Sequence, residues 1–289
     1  LPGGGPGGGE ALGGFIDAGS AQRIMVDHLL ATLEHTVVAT FDTDQLYDYR
    51  GRRPIMTYDR DKWTGYEDPT LILYRVIDDA GTPFLLLSGR EPDFQWERCI
   101  EAIRQLMALL GVRLVATAYG IPMTVPHTRP LWVTVHATQE HLLAGRESVF
   151  GQIKVPAGLT NLLEYRLGEN GQQAVGYAVH VPHYLAQADF PSAALAGLEN
   201  LAAGTGLRLP DAALQIAAAD SQRAITAEVS ANEEAAPVIT ALEEQYDTFV
   251  AGRQRQALLA GDDSLIPTAE QLGQEFEAFL RTQEGEPGR

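Results

Sequence analysis

From residue 10 onward, short apolar runs alternate with amphipathic stretches, the pattern of βαβ units and of a parallel sheet. Ala11 to Ile16 predicts a strand and Asp17-Ala18-Gly19-Ser20 a tight turn, after which Ala21, Ile24, Met25, His28, Leu29 and Leu33 trace one stripe of a helix. Thr36 to Phe41, rich in β-branched residues, predicts a second strand. Leu71 to Ile77 and Pro83 to Ser88 flank the turn residues Asp78 to Thr82, which predicts an antiparallel hairpin. Trp96, Cys99, Ile100, Ile103, Met107 and Leu110 share a helical face that Gly111 closes, and Val112 to Ala118 reads as a buried strand. Three prolines between Tyr119 and Pro130 argue against a helix or central strand there, so this stretch is expected to be a loop. Beyond it, Leu131 to Val135 reads as a strand, His136 to Leu143 as helical, and Leu159 to Leu167 as a helix ended by Gly168. Tyr177 to Val181 then predicts a strand running into Pro182-His183-Tyr184, and Ser192 to Ala203 a helix.

The last third has a different texture. Val238, Leu242, Tyr246, Phe249 and Val250 form one helical face, and Leu272, Phe276, Phe279 and Leu280 another. Ser230-Ala231-Asn232-Glu233 and Thr268-Ala269-Glu270-Gln271 fit the capping box, in which a hydroxyl and a Glu or Gln three residues later satisfy exposed amides. The expected organisation is therefore a flexible Gly/Pro-rich lead-in (1–9), an α/β domain (10–228) and an acidic C-terminal helical extension (229–289).

Composition narrows the function classes. The chain has 289 residues, 45% of them hydrophobic, enough for a full-sized core. No run approaches the length of a membrane span, and no basic segment leads into an apolar signal region, so a membrane role is not expected and the cytoplasm is the default location. The net charge is −17, and residues 228–289 hold 13 Asp and Glu against four Arg. A surface of that sign repels nucleic acid and anionic membrane. The single cysteine, Cys99, excludes an internal disulfide and reads as a packed hydrophobe.

Five polar loops follow expected strands: Asp17 to Ser20, Asp42 to Arg53, Ser88 to Asp93, Tyr119 to Pro130 and Pro182 to Tyr184. In a parallel sheet they gather at the C-terminal edge, where ligands of open α/β folds bind. Each candidate has a plain structural alternative. Gly19 and Ser20 open a helix and could hold an anion, but Asp17 opposes one, and Ser20 could be a simple N-cap. Asp42, Asp44 and Asp48 with Arg50, Arg52 and Arg53 could form a carboxylate and guanidinium network, an interface, or a solvated loop. Arg90 and Glu91 stand just before a helix, where Glu91 could cap and Arg90 could hold a substrate anion. His127 with Arg129, and His180 with His183, could supply a general base, yet HVPH lacks the face-sharing geometry of a zinc motif and no metal or other cofactor is expected. No nucleophile elbow, zincin or P-loop motif occurs.

The segments GFIDAG (14–19), FDTDQLYDYRGRRP (41–54), LLLSGREPDFQW (85–96), GIPMTVPHTRP (120–130) and HVPHYLAQADFP (180–191) together resemble the actinobacterial branch of the PAC2 family, over about residues 10–210. That resemblance implies a three-layer α/β/α core with a mainly parallel sheet, similar to nucleoside phosphorylase and hydrolase folds, followed by a C-terminal α-helical extension. It also implies self-association into homo-oligomers and, by analogy with relatives that act as proteasome assembly factors, protein partners such as proteasome components. The leading expectation is a non-enzymatic assembly, scaffold or chaperone-like protein. The rival is a phosphorylase- or hydrolase-type enzyme with His127 or His183 as base and Arg90 or Arg129 holding an anion, and a third reading is a metabolite-binding module that performs no chemistry.

Overall fold

The computed structural model describes residues 8–13, 16–146, 150–232 and 234–259. In chain order the elements are β1 (Gly8–Gly13), α1 (Ala21–Thr32), β2 (His35–Thr40), β3 (Met56–Asp59), β4 (Lys62–Tyr66), β5 (Leu71–Ile77), β6 (Pro83–Arg90), α2 (Trp96–Leu110), β7 (Leu114–Met123), β8 (Val133–Ala137), α3 (Leu159–Glu169), β9 (Gln173–Pro182), α4 (Pro191–Thr205), α5 (Ala212–Ala231) and α6 (Ala235–Leu259). Among the described residues, those up to Ala236 form one compact unit and those from Pro237 onward belong to a second. In the second unit the described helix α6 carries the face with Leu242 and Tyr246; the stripe from Leu272 to Leu280 and the capping box at Thr268 lie outside the described residues.

Seven strands make one sheet in the order β2-β5-β6-β1-β7-β9-β8, while β3 and β4 pair only with each other. The fold is mixed α/β. β1 pairs in parallel with β6 and β7, and β7 with β9; β2 with β5, β5 with β6, and β8 with β9 are antiparallel. The mainly parallel sheet expected from the alternation of elements is therefore corrected to a mixed one, because β5 and β8 run antiparallel to the other five strands. The hairpin of β5 and β6 was legible in the sequence, and its turn is held by Asp78, whose Oδ1 accepts from the amides of Ala80 and Thr82 at 2.9 and 2.6 Å.

Strand alternation sends successive side chains to opposite faces, and each face meets its own helices. Phe84 and Leu86 of β6, Ala116 and Ala118 of β7, and Val175 and Tyr177 of β9 pack with Met25, Leu29, Leu198 and Leu214 of α1, α4 and α5. Leu85 and Leu87, Val115 and Ala174 face the other way, against Cys99, Ile103 and Met107 of α2 and Leu159, Leu163 and Leu167 of α3. Cys99 is thus a core residue, 2% exposed. An apolar cavity of about 40 Å³ under α2, lined by Phe41, Leu73, Leu87, Ile103 and Met107 among others, has the volume of a small packing void.

Several expectations shift. β1 begins at Gly8, so Gly8 and Gly9, read as lead-in, are hydrogen-bonded to β6 opposite Leu85 and Leu86. β7 runs on through Pro122 to Met123, paired with β9 as far as Pro182. Pro122 is tolerated because β1 pairs with β7 only as far as Thr117, so beyond that residue β7 behaves as an edge strand. His136 lies within β8, which ends at Ala137, instead of opening a helix, and only a 3-10 turn, Glu140–Leu143, follows. Helix α3 passes Gly168 and ends at Glu169. Ser230 lies inside α5 with its hydroxyl donating to the Thr226 carbonyl, and it is the side chain of Asn232 that accepts from the amides of Glu234 and Ala235.

Candidate functional site

Strand directions decide where the loops go. β2 runs antiparallel to β5 and β5 to β6, so β2 points the same way as β6, β1, β7 and β9. The C-terminal ends of these five strands share one edge of the sheet, and each of the five polar loops leaves from one of them. Within that edge the polar residues form two clusters, one on each side of β1.

The first cluster joins the loops after β1, β7 and β9. Asp17 takes its Oδ1 within 2.8 Å of the Gln22 amide and its Oδ2 within 3.1 Å of the Arg23 amide, and the Gly120 amide donates to it at 3.4 Å. Asp17, and not Ser20, is therefore the capping side chain of α1, and its carboxylate occupies the position an anion would take; the Ser20 side chain caps nothing. Burial raises the pKa of Asp17 despite those three amide donors. Gly19 exchanges backbone hydrogen bonds with the last loop, its amide donating to Ala186 and its carbonyl accepting from Phe190. A side chain at Gly120 would lie 2.0 Å from the Ala18 carbonyl oxygen, so this glycine lets β7 and the first loop touch. His127, 4% exposed, sits against Tyr184, whose hydroxyl accepts from the His127 amide at 2.8 Å and lies 2.8 Å from Nδ1. Gln222 of α5 donates to the His127 carbonyl. His183 is exposed and stacks edge-on against Tyr184, and Arg129 is half-buried.

The second cluster joins the loops after β2 and β6. Arg52 forms an ion pair with Asp93 and donates to the Glu91 carbonyl at 2.6 Å; the Asp48 amide donates to Asp93 at 2.8 Å, and the Tyr47 hydroxyl to the Arg90 carbonyl at 2.6 Å. Asp44 accepts from Tyr49, and Asp42 from Gln45 at 2.5 Å, both on the exposed side of the loop. Arg90 is exposed and engages this cluster through its carbonyl. Glu91 is 9% exposed, and its Oε1 accepts from the Leu159 amide at 2.5 Å. It caps a helix, but that helix is α3, 68 residues downstream, rather than the adjacent α2.

A chain of titratable side chains that sequence reasoning left unassigned lies between β7, β8 and α3. The Tyr119 hydroxyl is 3.0 Å from His136 Nε2, and His136 Nδ1 is 2.8 Å from Glu164 Oε1. With the proton on Nδ1 donated to Glu164, Nε2 accepts from the phenol. Burial, with Glu164 adding to it, pushes the Tyr119 hydroxyl up to about 12. Gly176 makes room for the imidazole, since a Cβ there would fall 2.0 Å from His136 Cε1. Three separate elements supply these residues, which meet only because β7 and β8 both pair with β9 and α3 packs against β9. Nearby, His180 Nε2 lies 2.8 Å from Thr134 Oγ1, and burial depresses this imidazole to about 4, so it stays neutral. Among the described residues no group of three or more His, Cys, Asp and Glu is placed to hold a metal ion, and no helix is long and apolar enough to cross a membrane.

No functionally curated protein matches this sequence. Among solved structures, the Mycobacterium tuberculosis protein Rv2714, of unknown function, is 47% identical with a TM-score of 0.84, covering 88% of this chain and 86% of its own. A Corynebacterium glutamicum protein of unknown function is 37% identical with a TM-score of 0.83, over 86% of this chain and 93% of its own. M. tuberculosis Rv2125, a proteasome-assembly chaperone homologue, shares the fold at 23% identity and a TM-score of 0.73, over 80% of this chain and 99% of its own. The sequence pattern of the PAC2 family matches residues 11–229, three quarters of the length and every polar loop described above, and the chain belongs to the PAC2 family.

Proposed function

We propose that this chain is a non-enzymatic, homo-oligomeric assembly or scaffold protein of chaperone-like type, working in the cytoplasm on protein partners of which proteasome components are the leading class. The observation that carries this reading is how the edge residues spend their polar groups. Asp17 caps α1, Glu91 caps α3, and Arg52 is tied to Asp93 and a backbone carbonyl. A catalytic cleft keeps its acids, bases and donors aimed at an open space for substrate, whereas these side chains stitch loops and helices together. Family membership and the fold shared with a proteasome-assembly chaperone homologue support the same reading. We take residues 10–228 as the acting domain, a phosphorylase- or hydrolase-like α/β/α frame supported by helices on both faces of its sheet, and residues 229–289 as an acidic helical extension. Affinity purification of the full chain from native extract tests the proposal: a homo-oligomer with stoichiometric protein partners is expected, and a lone protomer recovered without any partner would sink it.

The Tyr119, His136 and Glu164 chain favours a second reading, an enzyme of phosphorylase or hydrolase type. A phenol, an imidazole and a carboxylate in series can pass a proton to or from a substrate at the edge of β7. Arg90 and Arg129 are the candidate anion holders in this reading, with His127 and His183 the alternative bases. Incubation with nucleosides plus phosphate and with acyl esters decides between the two: turnover that vanishes in Tyr119→Phe selects the enzyme, and silence across the panel removes it.

A further inference from the structure

The chain of Tyr119, His136 and Glu164 has the order of an activated nucleophile. A hydroxyl attacks only when a base in hydrogen-bond contact can take its proton, and the base serves best when a third group fixes its tautomer. Both contacts are in place, 3.0 Å from the phenol oxygen to His136 Nε2 and 2.8 Å from His136 Nδ1 to Glu164 Oε1. Burial keeps the phenol protonated at neutral pH, so it needs that base to react. Asn161, on the same helix as Glu164, hydrogen-bonds the same phenol. A side-chain amide beside the attacking oxygen can donate to the oxyanion of a tetrahedral intermediate.

Access and charge narrow what can react. The His136 and Glu164 side chains are 33% and 17% exposed, and Tyr119 is half-buried, so the chain opens to solvent. His180 nearby is sealed at 4% exposure and bonded to Thr134. The charge that acts on the phenol is the negative one of Glu164, and among the described residues no Arg or Lys bonds any member of the chain. A phosphate-bearing substrate would meet uncompensated repulsion there, whereas an uncharged carboxylic ester would not.

We propose that Tyr119 is a catalytic nucleophile toward uncharged carboxylic esters, with His136 as its base, Glu164 positioning His136, and Asn161 donating to the oxyanion. The phenol oxygen bonds to the carbonyl carbon while its proton passes to His136 Nε2. The bond from that carbon to the leaving oxygen then breaks, and the departing alcohol takes the proton from Nε2. Water, deprotonated in turn by His136, attacks the acyl-tyrosine, which releases the carboxylic acid and restores the phenol. The inference rests on the enzyme reading above, selects esters over phosphate-dependent substrates within it, and would replace the non-enzymatic reading.

The test mixes the full-length protein with p-nitrophenyl acetate, follows p-nitrophenol release at early times, and locates the acetyl group by mass spectrometry after an acid quench. A burst of about one p-nitrophenol per protomer and an acetyl group on Tyr119 are expected, with the exposed Tyr58 and Tyr165 labelled far more slowly. Tyr119→Phe should abolish the burst, and His136→Asn should slow it about a hundredfold or more. Glu164→Ala should slow it less, and Glu164→Asp should restore part of the loss. p-Nitrophenyl phosphate should stay intact. Unchanged thermal melting checks that each variant folds. A burst that survives Tyr119→Phe overturns the proposal, as does acetyl spread evenly over Tyr119, Tyr58 and Tyr165. Equal hydrolysis of the phosphate ester overturns the substrate class. Turnover that vanishes in Tyr119→Phe with no acetyl-tyrosine trapped removes the nucleophile and leaves the proton-transfer reading standing. Silence toward p-nitrophenyl acetate alongside phosphorolysis of nucleosides removes the inference and keeps the enzyme, and silence toward every substrate removes both.

Discussion

His180 is the residue whose burial has the clearest measurable consequence. Its imidazole is 4% exposed, beside the Thr134 hydroxyl, and desolvation holds its pKa at about 4. Above the ordinary value of about 6.5 the imidazole is neutral in both folded and unfolded chains and contributes no pH dependence. As pH falls from there toward 4 the unfolded chain takes up a proton that the fold refuses, so stability drops, by at most about 1.4 kcal/mol per pH unit. Urea unfolding at pH 7 and pH 5 should therefore show a larger loss for the wild type than for His180→Asn, and equal losses would refute the assignment. Gly176 offers a second check at this scale. Gly176→Ala drives a methyl into the His136 ring and should cost about 1–3 kcal/mol, read as a lowered midpoint in the same titration.

Among the elements, α3 depends on a side chain from a distant loop. Its first amide, that of Leu159, donates to Glu91, and a carboxylate at a helix N-terminus is worth about 1 kcal/mol. Glu91→Ala should lower stability by about that amount, and hydrogen exchange should quicken at the N-terminal amides of α3 while α2 is unaffected. Faster exchange at the start of α2 instead would restore the local capping role that the sequence order suggests. The same scale explains which elements were legible. α1, α2 and α4 carry large apolar residues at helical spacing, and their stripes face the sheet. α5 escaped notice because its run of alanines buries little beyond Leu214 and Ala218, so its periodicity is faint. The β3–β4 hairpin escaped because charges dominate its surroundings and its apolar face belongs to no core.

For the molecule as a whole, the net charge of −17 disfavours binding to polyanions such as nucleic acid. Sequence alone determined the alternation of strands and helices, the core role of Cys99 and the β5–β6 hairpin, since each is written in neighbouring residues: apolar period, turn chemistry, capping glycine; of the expected polar loops, Ser88 to Arg90 and Tyr119 to Met123 belong to strands. Tertiary structure decided the rest. The order and direction of the strands make the sheet mixed, split the loop residues into two clusters about β1, send Glu91 to α3, and bring Tyr119, His136 and Glu164 within hydrogen-bonding distance. The physical reason is range. Periodicity and turn chemistry act over a few residues, whereas strand pairing and long-range capping join positions whose proximity exists only after the chain has closed, and no local pattern encodes them.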